Sequence, residues 1–153
     1  MRRLSCLLVA CGLLAACATA SPAQNAARSQ QFLAENARAA GVVATPSGLQ
    51  YRVVTSVTDG TRPRATDLVT VRYEGRFPNG RVFDSASEPV EFPLNRVIRG
   101  WTEGLQLMRP GETYEFYVPP ALGYGERGTA DGTIGPNQAL VFRVELISVR
   151  GAS

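Results

Sequence analysis

The sequence predicts an α+β fold in which an antiparallel sheet of about five to six strands half-wraps one short helix, preceded by a short N-terminal helix and a signal peptide. Three observations carry that expectation. Two stretches alternate at period two: Asp67 to Phe77, with Val69, Val71 and Tyr73 opposed to Thr70, Arg72 and Glu74, and Leu140 to Val149, with Leu140, Phe142, Val144 and Leu146 opposed to Arg143 and Glu145. A single helical repeat, Ile98, Trp101, Leu105 and Met108, has the spacing of one buried helix face and holds the only tryptophan. Pro78-Asn79-Gly80 is a hairpin turn, with proline at a preset φ and Asn-Gly able to take φ > 0.

A chain of 153 residues has room for one domain, and 44% hydrophobic with 19% charged residues is an ordinary globular composition. The net charge of +3 includes Arg2 and Arg3, which fall in a leader segment. Without them it is about +1, which is no clustered basic footprint for nucleic acid. Every basic residue is arginine, and there is no histidine. Cys6, Cys11 and Cys17 all precede the globular part, so a chain whose leader is removed or anchored has no thiol left for a disulfide, a metal or nucleophilic attack.

Met1-Arg2-Arg3 and the apolar run Leu4 to Ala16 have the charged start and apolar middle of a secretory signal, too short for a spanning helix. The run ends Leu14-Ala15-Ala16-Cys17, which resembles the lipobox of bacterial lipoproteins. Residues 1–17 are therefore expected to be a lipoprotein signal with Cys17 as the lipidation site. Leu8-Val9-Ala10-Cys11 is a second match with a shorter apolar run, and cleavage after Ala18-Thr19-Ala20 would instead free a soluble periplasmic protein. Ala18 after the cysteine resembles outer-membrane sorting in a Gram-negative host. Residues 18–45 are expected to be a tether with one short helix: 18–30 are small and polar, and Ser29 to Ala40 carries Phe32 and Leu33 before Gly41 as a C′ glycine. That helix is weakly amphipathic and is expected to lean on the domain or fray.

The domain itself is expected over residues 46–149. Leu49 to Val57, rich in Val, Tyr and Thr, is a strand closed by Asp59-Gly60. Arg81 to Ser85 is the returning arm of the hairpin, and Phe92 to Leu94 a separate extended piece before the helix. Pro110-Gly111 breaks the chain after the helix, and Thr113 to Pro119 alternates Tyr114, Phe116 and Val118 against Thr113, Glu115 and Tyr117. Gly123 to Gly135 is too long and glycine-rich for a simple turn and reads as a functional flap.

The usual catalytic machinery is missing. Outside the leader there is no histidine base, no cysteine nucleophile, no P-loop, no dinucleotide fingerprint and no EF-hand spacing, and the acids are interspersed with arginines as on solvated faces. No metal and no cofactor is expected, so any reaction needs neither a strong base nor a nucleophile. What clusters at element ends is aromatic: Tyr73, Phe83, Phe92, Trp101, Tyr124 and Phe142. A plain core accounts for any one of them, but Asp84 beside Phe83 is a costly neighbour unless it is hydrogen-bonded or lines a site. Tyr124 inside Gly123-Tyr124-Gly125 is likewise out of place for a core residue. Together they point to an apolar pocket with a few polar handles.

Val71-Arg72-Tyr73-Glu74-Gly75, Val82-Phe83-Asp84-Ser85, Val97-Ile98-Arg99-Gly100-Trp101, Leu122-Gly123-Tyr124-Gly125 and Leu140-Val141-Phe142-Arg143-Val144-Glu145-Leu146 closely resemble the FKBP-type peptidyl-prolyl cis/trans isomerases, across about residues 46–149. Ser47-Gly48-Leu49-Gln50-Tyr51, Trp101 to Met108 and Ile134-Gly135-Pro136-Asn137 resemble more narrowly the bacterial macrophage infectivity potentiator branch of periplasmic or surface lipoproteins. That branch carries a long N-terminal helical dimerisation region, whereas here only the short Phe32-Leu33 segment precedes the domain, so a monomer or weak dimer is expected.

The resemblance implies catalysed rotation of X-Pro bonds in unfolded or exported proteins at the cell envelope, with macrolides as possible inhibitors and the membrane met only through the lipid anchor. It implies Trp101 as pocket floor, Tyr73, Phe83, Phe92, Val97, Ile98 and Phe142 as walls, and the Ile98 N–H as a donor to a substrate carbonyl. It further implies Tyr124 as a hydroxyl donor, Asp84 as a polar handle, and Ile134 closing the rim from the flap. The alternative is a non-catalytic peptide-binding or holdase module using the same groove.

Overall fold

The computed structural model describes residues 19–152; the leader with Cys17 lies outside the described residues. The chain runs α1 (Pro22–Asn36), β1 (Val42–Ala44), β2 (Gln50–Thr55), β3 (Leu68–Arg76), β4 (Val82–Pro93), α2 (Arg99–Leu105), β5 (Thr113–Val118) and β6 (Leu140–Arg150), with 3₁₀ turns at Leu94–Arg96 and Pro120–Leu122. The strands form one sheet in the order β1-β2-β5-β6-β3-β4, with every neighbouring pair antiparallel. The α+β sheet around a short helix expected from the sequence is thus the observed fold.

The core lies between α2 and one face of the sheet. Val69 and Val71 of β3, Phe116 and Val118 of β5, and Leu140, Val144 and Leu146 of β6 are fully buried there with Leu105 and Met108. Met108 lies beyond the helix, but its N–H bonds to Leu105 O and that of Leu107 to Gly104 O, so a tight turn keeps both side chains on the same face. What lets α2 come so close is glycine at Gly100 and Gly104, one helical turn apart. A Cβ at Gly100 would stand 2.8 Å from Val118 Cγ1, and one at Gly104 2.6 Å from Phe116 Cε1. Thr102, on the turn between them, donates its hydroxyl to Leu94 O at 2.7 Å and fixes the helix start to the preceding 3₁₀ turn.

Four features depart from the sequence reading. First, the helix expected at Ser29 to Ala40 spans Pro22–Asn36, and much of the stretch read as tether is helical. Its start is a capping box, with the Ser21 hydroxyl accepting from Gln24 N, Gln24 Oε1 accepting from Ser21 N, and Pro22 in the first turn. Its inward stripe begins with polar Asn25 and Ser29, both buried, before Phe32, so apolar periodicity missed it. Second, Val42–Ala44, also within that stretch, pairs with β2 as an edge strand.

Third, β4 is continuous over 82–93. Its register against β3 jumps from Val71↔Val90 to Tyr73↔Ala86, so a bulge on this edge strand accommodates Pro89, where a missing N–H costs no ladder bond. Fourth, the outward residues of β5 are buried: Tyr117 lies under Phe32 of α1, ring centroids 6.2 Å apart, and Glu115 is only 5% exposed. Glu115 accepts from Tyr117 Oη at 2.7 Å and pairs with Arg52 at 3.2 Å and Arg76 at 3.1 Å. Burial pushes its carboxyl up, but the Tyr117 and Arg76 hydrogen bonds and the two arginine charges outweigh that and hold it below the usual glutamate range. Glu112, also buried, accepts from Val57 N and Arg109 N, and so ties the loop after β2 to the Pro110-Gly111 turn.

Gly104→Ala sets two effects against each other. Alanine gains up to about 1 kcal/mol of helix propensity, while its methyl meets a fully buried ring at an overpacking cost of about 1–3 kcal/mol. Urea unfolding of this variant is expected to show a net loss of about 1–2 kcal/mol; equal or greater stability would mean that Phe116 has room to turn.

Candidate active site

A cavity of about 460 Å³ opens where β3, β4, β6, α2 and the flap meet. Its floor is Trp101, 4% exposed, carried on the first turn of α2 that Gly100 presses onto β5. Three rings stand nearly perpendicular to the indole: Tyr73 of β3 at 86°, Phe92 of β4 at 88° and Phe142 of β6 at 84°, with centroids 5.1, 5.9 and 5.4 Å from it. These are edge-to-face contacts, the arrangement that aromatic quadrupoles favour. Phe83 completes that side, at 89° and 5.6 Å from Phe142. Gly75 makes room for this pair, since a Cβ there would lie 2.7 Å from Phe83 Cζ and 2.8 Å from Phe142 Cε1.

The opposite wall is the extended segment before α2, where Val97 and Ile98 line the cavity. Ile98 is the N-cap residue of α2, and its carbonyl accepts from Trp101 N and Thr102 N. Among the described residues no acceptor meets the Ile98 N–H. Trp101 Nε1 is likewise buried without a hydrogen-bond partner among them.

The polar handles sit at the rim. Tyr73 Oη donates to Asp84 Oδ2 at 2.7 Å and fixes the carboxylate at the mouth. Burial, then the Asp84 hydrogen bond and charge, push the Tyr73 phenol well above its usual value. Tyr124, 40% exposed, faces the same cavity from the flap. Its phenol is raised by burial first and then by the Asp84 and Asp131 carboxylates, so it remains a protonated donor at neutral pH.

The flap is an ordered loop. Asp131 accepts from the hydroxyls of Thr129 and Thr133 and from Thr133 N, and these bonds lower its carboxyl to about 2. Thr129 N bonds to Ile134 O, and Thr129 Oγ1 accepts from Ile134 N.

The structure therefore brings together Tyr73, Phe83, Asp84, Phe92, Val97, Ile98, Trp101, Tyr124 and Phe142 as the sequence reading grouped them. Ile134 is the exception: it is 3% exposed, belongs to the hydrophobic core beneath the flap, and does not line the cavity. The loop bonds that pin Thr129 to Ile134 turn that side chain inward instead of over the rim. Arg96 lines the cavity and escaped notice, because an exposed arginine in a 3₁₀ turn carries no sequence signal beyond standing next to Val97.

An apolar cleft floored by one indole, walled by perpendicular rings and rimmed by a carboxylate and a phenol has the form of a small-ligand site, apolar with a few placed polar groups. The sequence profile described as FKBP-type peptidyl-prolyl cis-trans isomerase matches residues 60–147, and the profile of the domain amino terminal to such isomerases matches residues 14–53. The chain belongs to the FKBP-type peptidyl-prolyl cis-trans isomerase family.

It is 52% identical over 129 residues to the peptidyl-prolyl cis-trans isomerase Mip of Coxiella burnetii, covering 82% of this chain and 55% of that protein. It is 46% identical over 133 residues to the outer membrane protein MIP of Legionella longbeachae, covering 85% and 56%. The chain thus spans about half the length of these curated relatives. The crystal structure of a peptidyl-prolyl cis-trans isomerase from Pseudomonas syringae superposes with a TM-score of 0.80 at 36% identity, covering 86% of this chain and 98% of that one. That of FkpA from Escherichia coli gives 0.81 at 38% identity, covering 86% and 62%.

Tyr73, Tyr114 and Tyr117 are all raised, chiefly by burial, and Tyr117, whose second cause is its bond to Glu115, reaches about 12. Unfolded phenols ionise near pH 10, so between about pH 10 and 12 the folded chain holds more protons and stability falls as pH rises. Below pH 10 this contribution is complete. Alkaline unfolding is expected to follow that slope and to flatten in Tyr117→Phe; titration of all 5 tyrosines at the ordinary phenol value would contradict it.

Proposed function

We propose that the protein is an active peptidyl-prolyl cis-trans isomerase that accelerates X-Pro rotation in unfolded or exported polypeptides by binding the twisted amide in its aromatic cavity. The observation that carries the reading is the set of rings perpendicular to the Trp101 floor, which leaves a slot for a pyrrolidine ring and presents no base or nucleophile. Rotation needs neither. The barrier of about 18–20 kcal/mol is loss of amide resonance, and the uncatalysed change takes tens to hundreds of seconds. The planar amide is the more polar species, so a dry cavity disfavours it relative to the twisted one, which is differential binding of the transition state.

In this reading proline sits on Trp101 between Tyr73, Phe92 and Phe142. The Ile98 N–H, which meets no acceptor among the described residues, holds one substrate carbonyl, and the Tyr124 hydroxyl another. Asp84, oriented by Tyr73, places its field at the twisting carbonyl. The two rim groups and the family membership favour catalysis over a purely non-catalytic groove.

We further place the protein at the bacterial cell envelope, tethered through a lipid on Cys17. The support is the lipobox in the sequence together with the outer-membrane name of the Legionella relative. Among the described residues no helix is long and apolar enough to cross a membrane. A monomer or weak dimer fits α1, whose buried stripe is used on its own domain and whose other faces carry Gln, Ala, Arg and Glu.

Protease-coupled turnover of a proline peptide by residues 19–153, which keep α1 whole, tests the reading, and no acceleration would sink it. Asp84→Ala and Tyr124→Phe are each expected to lower kcat/KM about tenfold, which is about 1.4 kcal/mol, with unfolding curves unchanged. Full activity in both would remove them from the mechanism. A macrolide such as rapamycin is expected to inhibit turnover competitively, and undiminished turnover at saturating macrolide would argue against this cavity as the site. Labelling with radioactive palmitate is expected in the wild type and lost in Cys17→Ala; equal labelling of both would place the anchor elsewhere.

A further inference from the structure

We propose that α1 is a clamp on the flap, and that Ser29 and Asn25 are positioning residues for Tyr124. These two residues are 4% and 5% exposed, polar side chains on the stripe where a packed helix ordinarily places apolar ones. Each is matched to a main-chain group at the far end of the flap. Ser29 Oγ donates to Asn137 O at 2.7 Å and accepts from Ala139 N at 2.8 Å, so one hydroxyl uses both its roles on neighbouring peptide groups. Asn25 Nδ2 donates to Pro136 O at 3.0 Å, and Asn137 Nδ2 reaches back to Pro22 O at 3.2 Å.

The segment so held is strained. Among the described residues Asn137 is the non-glycine residue with positive φ, at 56°, a conformation that costs energy unless its surroundings impose it. That turn aims the Asn137 N–H at Gly125 O, 2.8 Å away. Gly123 N and Gly125 N, which flank Tyr124, both bond to Pro120 O. Tyr124 therefore rides on a short peptide loop fastened to the domain at Pro120 and to the far limb of the flap at Asn137. The Asn137 fastening is set by Ser29. The connected path runs by hydrogen bonds from Ser29 to Asn137 and from Asn137 to Gly125, and along the chain from Gly125 to Tyr124. The C-terminal half of α1 is docked independently, with Gln50 Nε2 donating to Leu33 O, Asn36 Nδ2 donating to Gln50 Oε1, and Phe32 on Tyr117. Loss of the Ser29 hydroxyl thus leaves the helix in place while loosening the far limb of the flap, where Asn137 O and Ala139 N lose their partner.

The inference rests on the isomerase reading only in giving Tyr124 a substrate to hold. Its test uses the full chain and two readouts, amide hydrogen exchange by NMR and peptide turnover, in Ser29→Ala, Asn25→Ala, Tyr124→Phe and the Ser29→Ala/Tyr124→Phe double variant. Ser29→Ala is expected to speed exchange of the Asn137 amide about tenfold or more, the equilibrium equivalent of one lost buried hydrogen bond, and to lower kcat/KM by up to the factor seen in Tyr124→Phe. In the Tyr124→Phe background the same change is expected to cost less than about twofold, because a residue acting through the Tyr124 hydroxyl has nothing left to position. Asn25→Ala is expected to move both readouts in the same direction by less, and it carries the test if Ser29→Ala does not fold. Unchanged Asn137 exchange, or an equal loss of turnover in both backgrounds, overturns the proposal. If the wild type itself shows no turnover, the isomerase reading fails, while the exchange result still decides the clamp.

Discussion

The contact on which most of the site depends is the close seating of α2 on β5. With Gly100 against Val118 and Gly104 against Phe116, the helix backbone lies nearer the sheet than any residue with a side chain would allow. That proximity places the Trp101 ring at the level where Tyr73, Phe92 and Phe142 meet it edge to face. If the helix were lifted, the floor would drop out of contact with its walls. The same seating leaves the segment before α2 extended, so that Ile98 lines the cavity with its side chain while its N–H stays unused. Helix, floor and main-chain donor therefore follow from two glycines one turn apart, and Gly75 does the same service for the Phe83–Phe142 pair.

Around that fixed floor the polar groups are arranged by different means. Asp84 is oriented by a single phenol on the neighbouring strand, at 2.7 Å. Tyr124 is carried on a loop, and loops hold position only when their own main-chain groups are satisfied. Here that is achieved inside the loop by Asp131 and Thr129, and outside it by α1. One half of the site thus comes from strands and helix, and the other from a flap whose far limb is tied to the N-terminal helix.

The parts of the fold legible in the sequence are those with one wet face. β3 and β6 alternate because Arg72, Glu74 and Arg143 face water opposite Val71, Val144 and Leu146. β5 hid its environment, because α1 and the Arg52–Glu115–Arg76 cluster cover its outer side and make even Glu115 and Tyr117 buried residues. The start of α1 hid for the complementary reason: its buried stripe is Asn25 and Ser29, stabilised by hydrogen bonds to backbone that lies more than a hundred residues on, which no local pattern reveals. Arg81 to Ser85 and Phe92 to Leu94 read as separate pieces and are one strand, β4, with a bulge near Pro89 on the sheet edge. Of the residues that line the cavity, the aromatic ones and Asp84 stand out at element ends, whereas Val97 and Ile98 were expected only from the family resemblance. Ile134 and Arg96 show the limit, because whether a flap or turn side chain faces the cavity depends on loop hydrogen bonds and not on residue type.

In the proposed reaction this cavity prefers a twisted proline amide to a planar one. Calorimetric titration with two peptides of the same sequence tests it, one with a normal X-Pro amide and one in which that group is replaced by an α-ketoamide whose two carbonyls lie out of plane. A preference that acts on the transition state predicts at least about tenfold tighter binding of the twisted analogue. It also predicts that Phe142→Leu erodes the difference more than it weakens binding of the planar peptide. Equal affinities for the two peptides in the wild type would contradict the account, since uniform binding of both geometries lowers no barrier.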